Sequence, residues 1–347
     1  MTETLVSAAG ETLDAPVLVL VDLEESAADV ARAVEQVRPS AAGLALVAGA
    51  ASLTTGAVVA LVLGPVGAEA SAALAGAGAT RVLSADLGEV GTQAGAAADA
   101  LVAAVRAVAP VVALVASDYH GKDVAARAAV LLRSACTGDV SGLSVQDGAL
   151  RAVKSVLSGS WTTTLRVGGT GTVPVVAVGH GAFDVETPGA GTPLEVEALD
   201  VALSPESLAV RVVSREPAPA SSGPDLAEAQ VVVVGGRGVD GDFDLVRSLA
   251  QPLGAAVGAT RVACDEGWVE RSAQIGQTGV SVSPRLYIGL GVSGAVHHTC
   301  GFQGAGTIVA VCDDAEAPIM AMADYGVVGD VRTVVPQLVE ELARLRG

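Results

Sequence analysis

The chain is 347 residues long, more than one ordinary hydrophobic core encloses and a length that suits two domains. Its 38 acidic and 20 basic side chains give a formal net charge of −18. That balance repels phosphate backbones, which argues against a nucleic-acid partner, and it suits docking on basic patches of other proteins.

Along the chain, MTETLVSAAGETLDAP carries acids where a signal peptide needs a basic region and an apolar run. The aliphatic runs Val17–Val21, Val58–Leu63, Arg81–Leu83 and Val111–Val115 read as strands buried on both faces. Between and after them, Ser26–Val37, Ala68–Gly76, Gly91–Ala107 and Asp123–Arg133 read as helices. This alternation predicts a doubly wound, mostly parallel sheet. The uncharged stretch from Pro39 to Ala68 raises the question of a membrane span. Gly43, Gly49, Ser52 and Gly64-Pro65 break it up, so it reads as two short buried strands, Leu44–Val47 and Val58–Leu63, without membrane insertion. From Leu143 to Val178 four runs follow with turn residues and no helix, and these predict antiparallel strands added to the same domain.

Residues 214–229 contain Pro217, Pro219 and Pro224 among serines and alanines, the chemistry of a linker between a first domain at 1–213 and a second at 230–347. The second domain reads as a compact α/β unit. Its strands are Val231–Val234, Leu286–Leu290 and Thr307–Val311, with helices at Asp242–Ala250 and Val334–Leu345. Cys136, Cys264, Cys300 and Cys312 form neither a disulfide framework nor a CxxC pair, which fits a reducing cytoplasm. His297, His298, Cys300 and Cys312 cluster loosely, but the spacing matches no common zinc module, so no metal site is expected.

Two glycine patterns fit GxGxxG: Gly236, Gly238 and Gly241 after the four-valine strand, and Gly289, Gly291 and Gly294 at the end of the strand that starts at Leu286. Such turns let a backbone approach a pyrophosphate at a helix start. They serve equally as tight strand-to-helix turns without a ligand. Their company is more specific. In order come GGRG at 235–238, GATR at 258–261, IGQTG at 275–279, LYIGLGVSGAVHH at 286–298, TIVAVC at 307–312, AEAPIM at 315–320 and ADYG at 323–326, then Asp330. Over roughly residues 230–335 this resembles the electron transfer flavoprotein alpha family; the first two-thirds matches it only in texture.

The resemblance implies FAD held mainly by residues 230–347, with residues 1–213 as scaffold and partner interface. It places Arg237 and Thr260 along the dinucleotide, and Arg261 as a fixed cation beside the isoalloxazine that stabilises the charge arriving with an electron. A surface ion pair of Arg261 with Asp265 or Glu266 is the alternative. Ile275, Gly276, Gln277 and Thr278 would form a loop whose N–H groups and hydroxyl bond the N5 edge of the flavin. Ser293, Gly294, Ala295 and Val296 would offer donors to phosphate, and His298 would donate to the flavin pyrimidine, a satisfied structural histidine being the alternative. Asp330 and Val331 would close the adenosine end. Two departures stand out: His297 replaces the family's glutamine, and Cys312 replaces its asparagine, leaving only a weak donor. His297 near the ring would make the redox potential pH-dependent.

What the resemblance implies in function is an electron carrier without substrate chemistry of its own. Electrons would pass from acyl-CoA dehydrogenases to a membrane-associated quinone oxidoreductase, with an electron transfer flavoprotein beta subunit as heterodimer partner holding AMP. An electron-bifurcating variant of the family is one alternative. An NAD-dependent oxidoreductase is another, and it requires an acidic ribose-binding residue at the end of the strand after the first glycine turn.

Overall fold

The computed structural model describes residues 11–23, 38–157, 161–168, 171–183, 189, 191–214, 223–227 and 229–346. The chain divides into two compact units, residues 1–155 with 162–218, and residues 156–161 with 219–347. The expected helix Ser26–Val37 and most of the Pro/Ser segment lie outside the described residues.

In the first unit the elements run β1 (Val17–Val21), α1 (Ala41–Leu53), β2 (Val58–Val62), α2 (Ala68–Gly76), β3 (Arg81–Ser84), α3 (Ala94–Val108), β4 (Val112–Ala116) and α4 (Tyr119–Leu132). They continue with β5 (Cys136–Gln146), β6 (Ala149–Val156), β7 (Trp161–Val167), β8 (Val175–Val178), β9 (Val196–Ala198) and α5 (Pro205–Leu208). These strands form one sheet in the order β7-β6-β5-β8-β4-β1-β2-β3-β9. The pairs β1–β2, β1–β4, β2–β3, β3–β9, β4–β8 and β5–β8 are parallel, and β5–β6 is antiparallel. Alternate residues of β1 and β2 supply opposite faces. Val17, Val19 and Val21 pack with Leu46 and Val47 of α1, while Leu18 and Leu20 pack with Leu101 of α3 and Val124 of α4. The sheet is therefore doubly wound and mostly parallel, as the alternating pattern predicts.

Two expectations need correction. Leu44–Val47 is not a strand but the middle of α1. Ser40 caps this helix by accepting from Gly43 N at 3.0 Å, and the helix packs so closely that a Cβ at Gly43 would lie 2.8 Å from Val21 Cγ1. Small and apolar residues all round erase the helical period that would have shown it. The run 173–178 is not antiparallel either. As β8 it inserts parallel to both β4 and β5.

The second unit runs β10 (Val231–Gly235), α6 (Phe243–Leu253), β11 (Ala256–Ala259), α7 (Arg261–Asp265), β12 (Leu286–Leu290) and α8 (Val296–Thr299). It ends with β13 (Thr307–Cys312), α9 (Pro318–Met322), β14 (Tyr325–Val328) and α10 (Val331–Arg346). Its sheet is parallel throughout, in the order β11-β10-β12-β13-β14. Val233, Ile288 and Leu290 pack under α6 and α10, and Val232, Val234 and Tyr287 face Ile275, Phe302 and Ile319. After β10 the chain winds first to one side and then to the other, which sets a topological switch point at the carboxyl ends of β10 and β12, where open α/β sheets take ligands.

Candidate dinucleotide site

The sixteen residues singled out in the sequence gather at this one edge. Arg237 follows β10, Thr260 and Arg261 follow β11, Ser293 to His298 follow β12, Cys312 ends β13, and Asp330 and Val331 follow β14. Residues 275–278 join them because Gln274 bridges to Ala259, the last residue of β11, and Ile275 N donates to the Ala259 carbonyl at 2.9 Å.

The glycines here are explained by backbone meeting backbone. A Cβ at Gly236 would lie 2.3 Å from Gly291 O, and one at Gly238 would lie 2.7 Å from Gly291 Cα. Gly238 N donates to Gly291 O at 3.0 Å. The turns after β10 and β12 are thus pressed together, with Gly291 at φ +61°, a conformation open to glycine. Gly294, at φ +81°, backs directly onto Ile319 N. Close approach to a ligand is not needed to account for these glycines; what they do is hold the two turns against each other.

Cations mark the edge. Arg237 is exposed, and among the described residues it has no ion pair. Arg261 pairs with Asp265 one turn on, Nε to Oδ2 at 3.1 Å, and Asp265 also takes Arg271 at 3.2 Å. The surface pair anticipated for Arg261 therefore exists, and its side chain stays 65 % exposed. No carboxylate stands at the end of β11, where Thr260 and Arg261 follow Ala259, so the acidic ribose-binding residue that an NAD-dependent reading needs is not at that position.

The polar groups separate into those already satisfied and those that are not. Thr260 is the N-cap of α7 yet makes no side-chain cap, and its buried Oγ1 has no partner among the described residues. Gln274 is 1 % exposed, and its Oε1 is likewise buried without a partner. Unpartnered buried polar atoms are uncommon and call for an explanation; a polar ligand across this edge is one. α8 starts at Ala295 with no side-chain cap, and Ser293, Gln277 and Thr278 are exposed. Hydroxyls, uncapped N–H groups and two arginines make a donor set suited to a dinucleotide, and the residues present fit FAD on that ground.

Five expected residues have their side chains engaged within the protein. His298 is buried, and both ring nitrogens are engaged. Nδ1–H donates to the Ile275 carbonyl at 2.8 Å, which leaves Nε2 to accept from the Tyr287 hydroxyl at 2.8 Å. Tyr287 stacks on Phe302 with centroids 3.9 Å apart. In this arrangement both ring nitrogens are taken up within the protein, and His298 is the polar pin of an aromatic core under α8. Burial pushes its pKa down, against a smaller upward effect of the Ile275 carbonyl, so the ring is kept neutral. The side chains of Ile275, Cys312 and Val331 are packed in the cores. Cys312 Sγ reaches only Asp313 Oδ1 at 3.9 Å, and Asp330 is occupied in accepting from Arg332 N at 2.8 Å at the start of α10.

His297 is the histidine left outside. Its Nδ1 donates to Gln277 Oε1 at 2.8 Å, while Gln277 N donates back to the His297 carbonyl at 2.7 Å. That backbone N–H, expected at the flavin, is therefore spent on α8. Gly276, at φ +140°, permits the contact, since a Cβ there would lie 2.4 Å from His297 O.

A parallel sheet with paired glycine turns, exposed cations and uncapped N–H groups at its switch point defines a dinucleotide-binding α/β protein. Comparison with known proteins makes this specific. Residues 225–303 match the electron transfer flavoprotein FAD-binding domain, and residues 28–204 match the electron transfer flavoprotein domain. The electron transfer flavoprotein subunit alpha of Mycobacterium leprae is 42 % identical over 252 residues, 72 % of this chain and 76 % of that protein. The Bacillus subtilis subunit alpha is 37 % identical over 227 residues, 65 % and 68 % of the two chains. Protein FixB of Clostridium saccharobutylicum is 35 % identical over 237 residues, 67 % and 70 %. The chain belongs to the electron transfer flavoprotein alpha-subunit family, an FAD-binding family of electron carriers rather than enzymes.

Proposed function

We propose that residues 230–347 hold FAD across the carboxyl ends of β10, β11 and β12. In this reading residues 1–213 are the scaffold on which an electron transfer flavoprotein beta subunit packs, itself carrying AMP, and residues 214–229 link the two. The observation that supports it most is convergence on one sheet edge: Arg237, Arg261, Thr278 and Ser293 exposed together, with Thr260 Oγ1 buried beside them and without a partner.

Bound FAD supplies the redox chemistry, taking up and releasing electrons one at a time. Arg237 and the backbone of Ser293 to Val296 would hold the pyrophosphate, and Thr260 would donate its hydroxyl along the dinucleotide. Thr278 would donate to the N5 edge. Arg261 would keep a permanent cation beside the ring, where Asp265 shares and orients it, so that arriving negative charge meets a fixed field without rearrangement. Gln277 and His297, stapled to each other, would line the loop, and Asp330 would border the adenosine end. Acyl-CoA dehydrogenases are the proposed electron donors and a membrane-associated quinone oxidoreductase the acceptor, a role in fatty acid β-oxidation carried out in the cytoplasm. Among the described residues no helix is long and apolar enough to cross a membrane.

The test is co-purification with the beta partner, followed by potentiometry. The complex should be yellow with one FAD per alpha chain. Arg261→Ala should lower the flavin potential by on the order of 60 mV, a tenfold change for a one-electron couple. A colourless complex would remove the reading, and an unmoved potential would remove the role of Arg261.

A further inference from the structure

Gln274 looks, by position, like part of the core. It is 1 % exposed, and its backbone is tied on both sides, N–H to the Arg271 carbonyl at 3.1 Å and carbonyl from Val280 N at 2.7 Å. An apolar side chain of the same length, such as Met, would fill that volume without burying polar atoms. Instead the amide is present, and half of it is unsatisfied: Oε1 has no partner among the described residues. Leaving a buried acceptor unpaired is costly, so the other half of the amide is the reason to look for a role.

That half points to Thr278. Gln274 Nε2 donates to Thr278 Oγ1 at 2.9 Å. A hydroxyl has one hydrogen and two lone pairs. Once a lone pair accepts from Gln274, the hydrogen is left to be donated elsewhere, and Thr278 is exposed at the sheet edge. With the amide reversed, Oε1 would accept that hydrogen and the hydroxyl would turn inward. The surrounding loop is fixed, since Gln277 N is bonded to His297 O and Gly279 N to Gly276 O at 3.0 Å.

We propose that Gln274 is a positioning residue: its buried amide sets the polarity of the Thr278 hydroxyl, so that Thr278 presents a donor rather than an acceptor to the flavin. This rests on the placement of Thr278 at the N5 edge proposed above. The bond has a use only if the group met by Thr278 is an acceptor, as N5 of oxidised flavin is.

The test is a double-mutant cycle on FAD affinity in the complex with the beta subunit, run in parallel with 5-deaza-FAD, which has carbon at the N5 position. Thr278→Ala should weaken FAD about tenfold, the worth of one hydrogen bond. Gln274→Glu, whose carboxylate accepts the hydroxyl hydrogen, should weaken it by a similar factor, and the double variant should be no worse than either single one. 5-Deaza-FAD should be indifferent to all three. Should the glutamate variant not fold, Gln274→Met, which leaves the Thr278 hydroxyl free to rotate, should give a smaller loss that again vanishes on the Thr278→Ala background. Additive losses, or equal losses with 5-deaza-FAD, would overturn the role of Gln274 while leaving Thr278 in the site. If Thr278→Ala alone changes nothing, the placement of Thr278 falls and this proposal with it. The bond itself has a separate readout: the Gln274 side-chain amide resonances should shift in Thr278→Ala, and an unshifted pair would sink the proposal without touching FAD placement.

Discussion

The two sheets of this chain have switch points of the same kind, and only one of them has the chemistry of a dinucleotide site. In the first sheet β1 lies between β2 and β4; in the second, β10 lies between β11 and β12. Both put glycines against backbone at the edge, Gly121 against Ala116 O in one and Gly236 against Gly291 O in the other. The side chains differ in sign. Beyond β1 and β4 stand Asp22 and Asp118, and the Asp22 carboxyl is pushed up to about 6, chiefly by burial and then by Asp118, with His120 pulling it down. Beyond β10 and β11 stand Arg237 and Arg261. A half-buried carboxylate repels a pyrophosphate where an exposed guanidinium attracts it. Parallel topology thus offers a crevice, and a few charges decide whether phosphate enters.

The strongest way to break this comparison is to crowd each edge. Gly236→Ala places a methyl 2.3 Å from Gly291 O, and Gly121→Ala places one 2.0 Å from Ala116 O. Each should cost roughly 3 kcal/mol or more in urea unfolding, yet only Gly236→Ala should reduce FAD content measured on the folded fraction. Equal loss of FAD in both variants would mean that the edges are not functionally distinct.

A smaller effect sharpens the electrostatic contrast. Because folding raises the Asp22 pKa from 3.8 to about 6, its contribution is fully favourable below pH 3.8 and is lost as pH rises through 6. Asp22→Asn should therefore stabilise the protein by about 2 kcal/mol at pH 8 and leave it unchanged at pH 3.5, as read by denaturant titration at both values.

The smallest expected effect is of opposite sign and lies in the second unit. Folding lowers the His298 pKa below 6.5, so the unfolded chain binds the proton more readily, and stability falls as pH drops from 6.5. The loss should be visible on going from pH 7 to pH 5 and be absent in His298→Asn, after subtraction of the variant's own offset.

Much of the second unit was legible because its strands are short aliphatic runs bounded by glycine. What the sequence hid were matters of partners rather than of elements. His297 and His298 are adjacent, yet one faces out and holds Gln277 while the other is enclosed by Tyr287, Ile275 and Phe302; nothing in the spacing distinguishes them. Arg261 and Asp265, four apart, did carry the signal of their ion pair. Gln274 and Thr278 have the same four-residue spacing, and that was the available hint to their bond. In the first unit α1 was misread because a helix apolar on every face has no period, although Ser40 at its start is a capping residue.

The contact of Gly238 with Gly291 has a consequence for how this edge can change over time. Two loops that touch through main chain cannot drift separately: a side chain gained on either one displaces the other, so tolerated replacements have to arrive together. Sequence variation should therefore collect in the exposed side chains carried by the turns, leaving the spacing between them constant, much as two pages of a bound book keep their alignment whatever is printed on them.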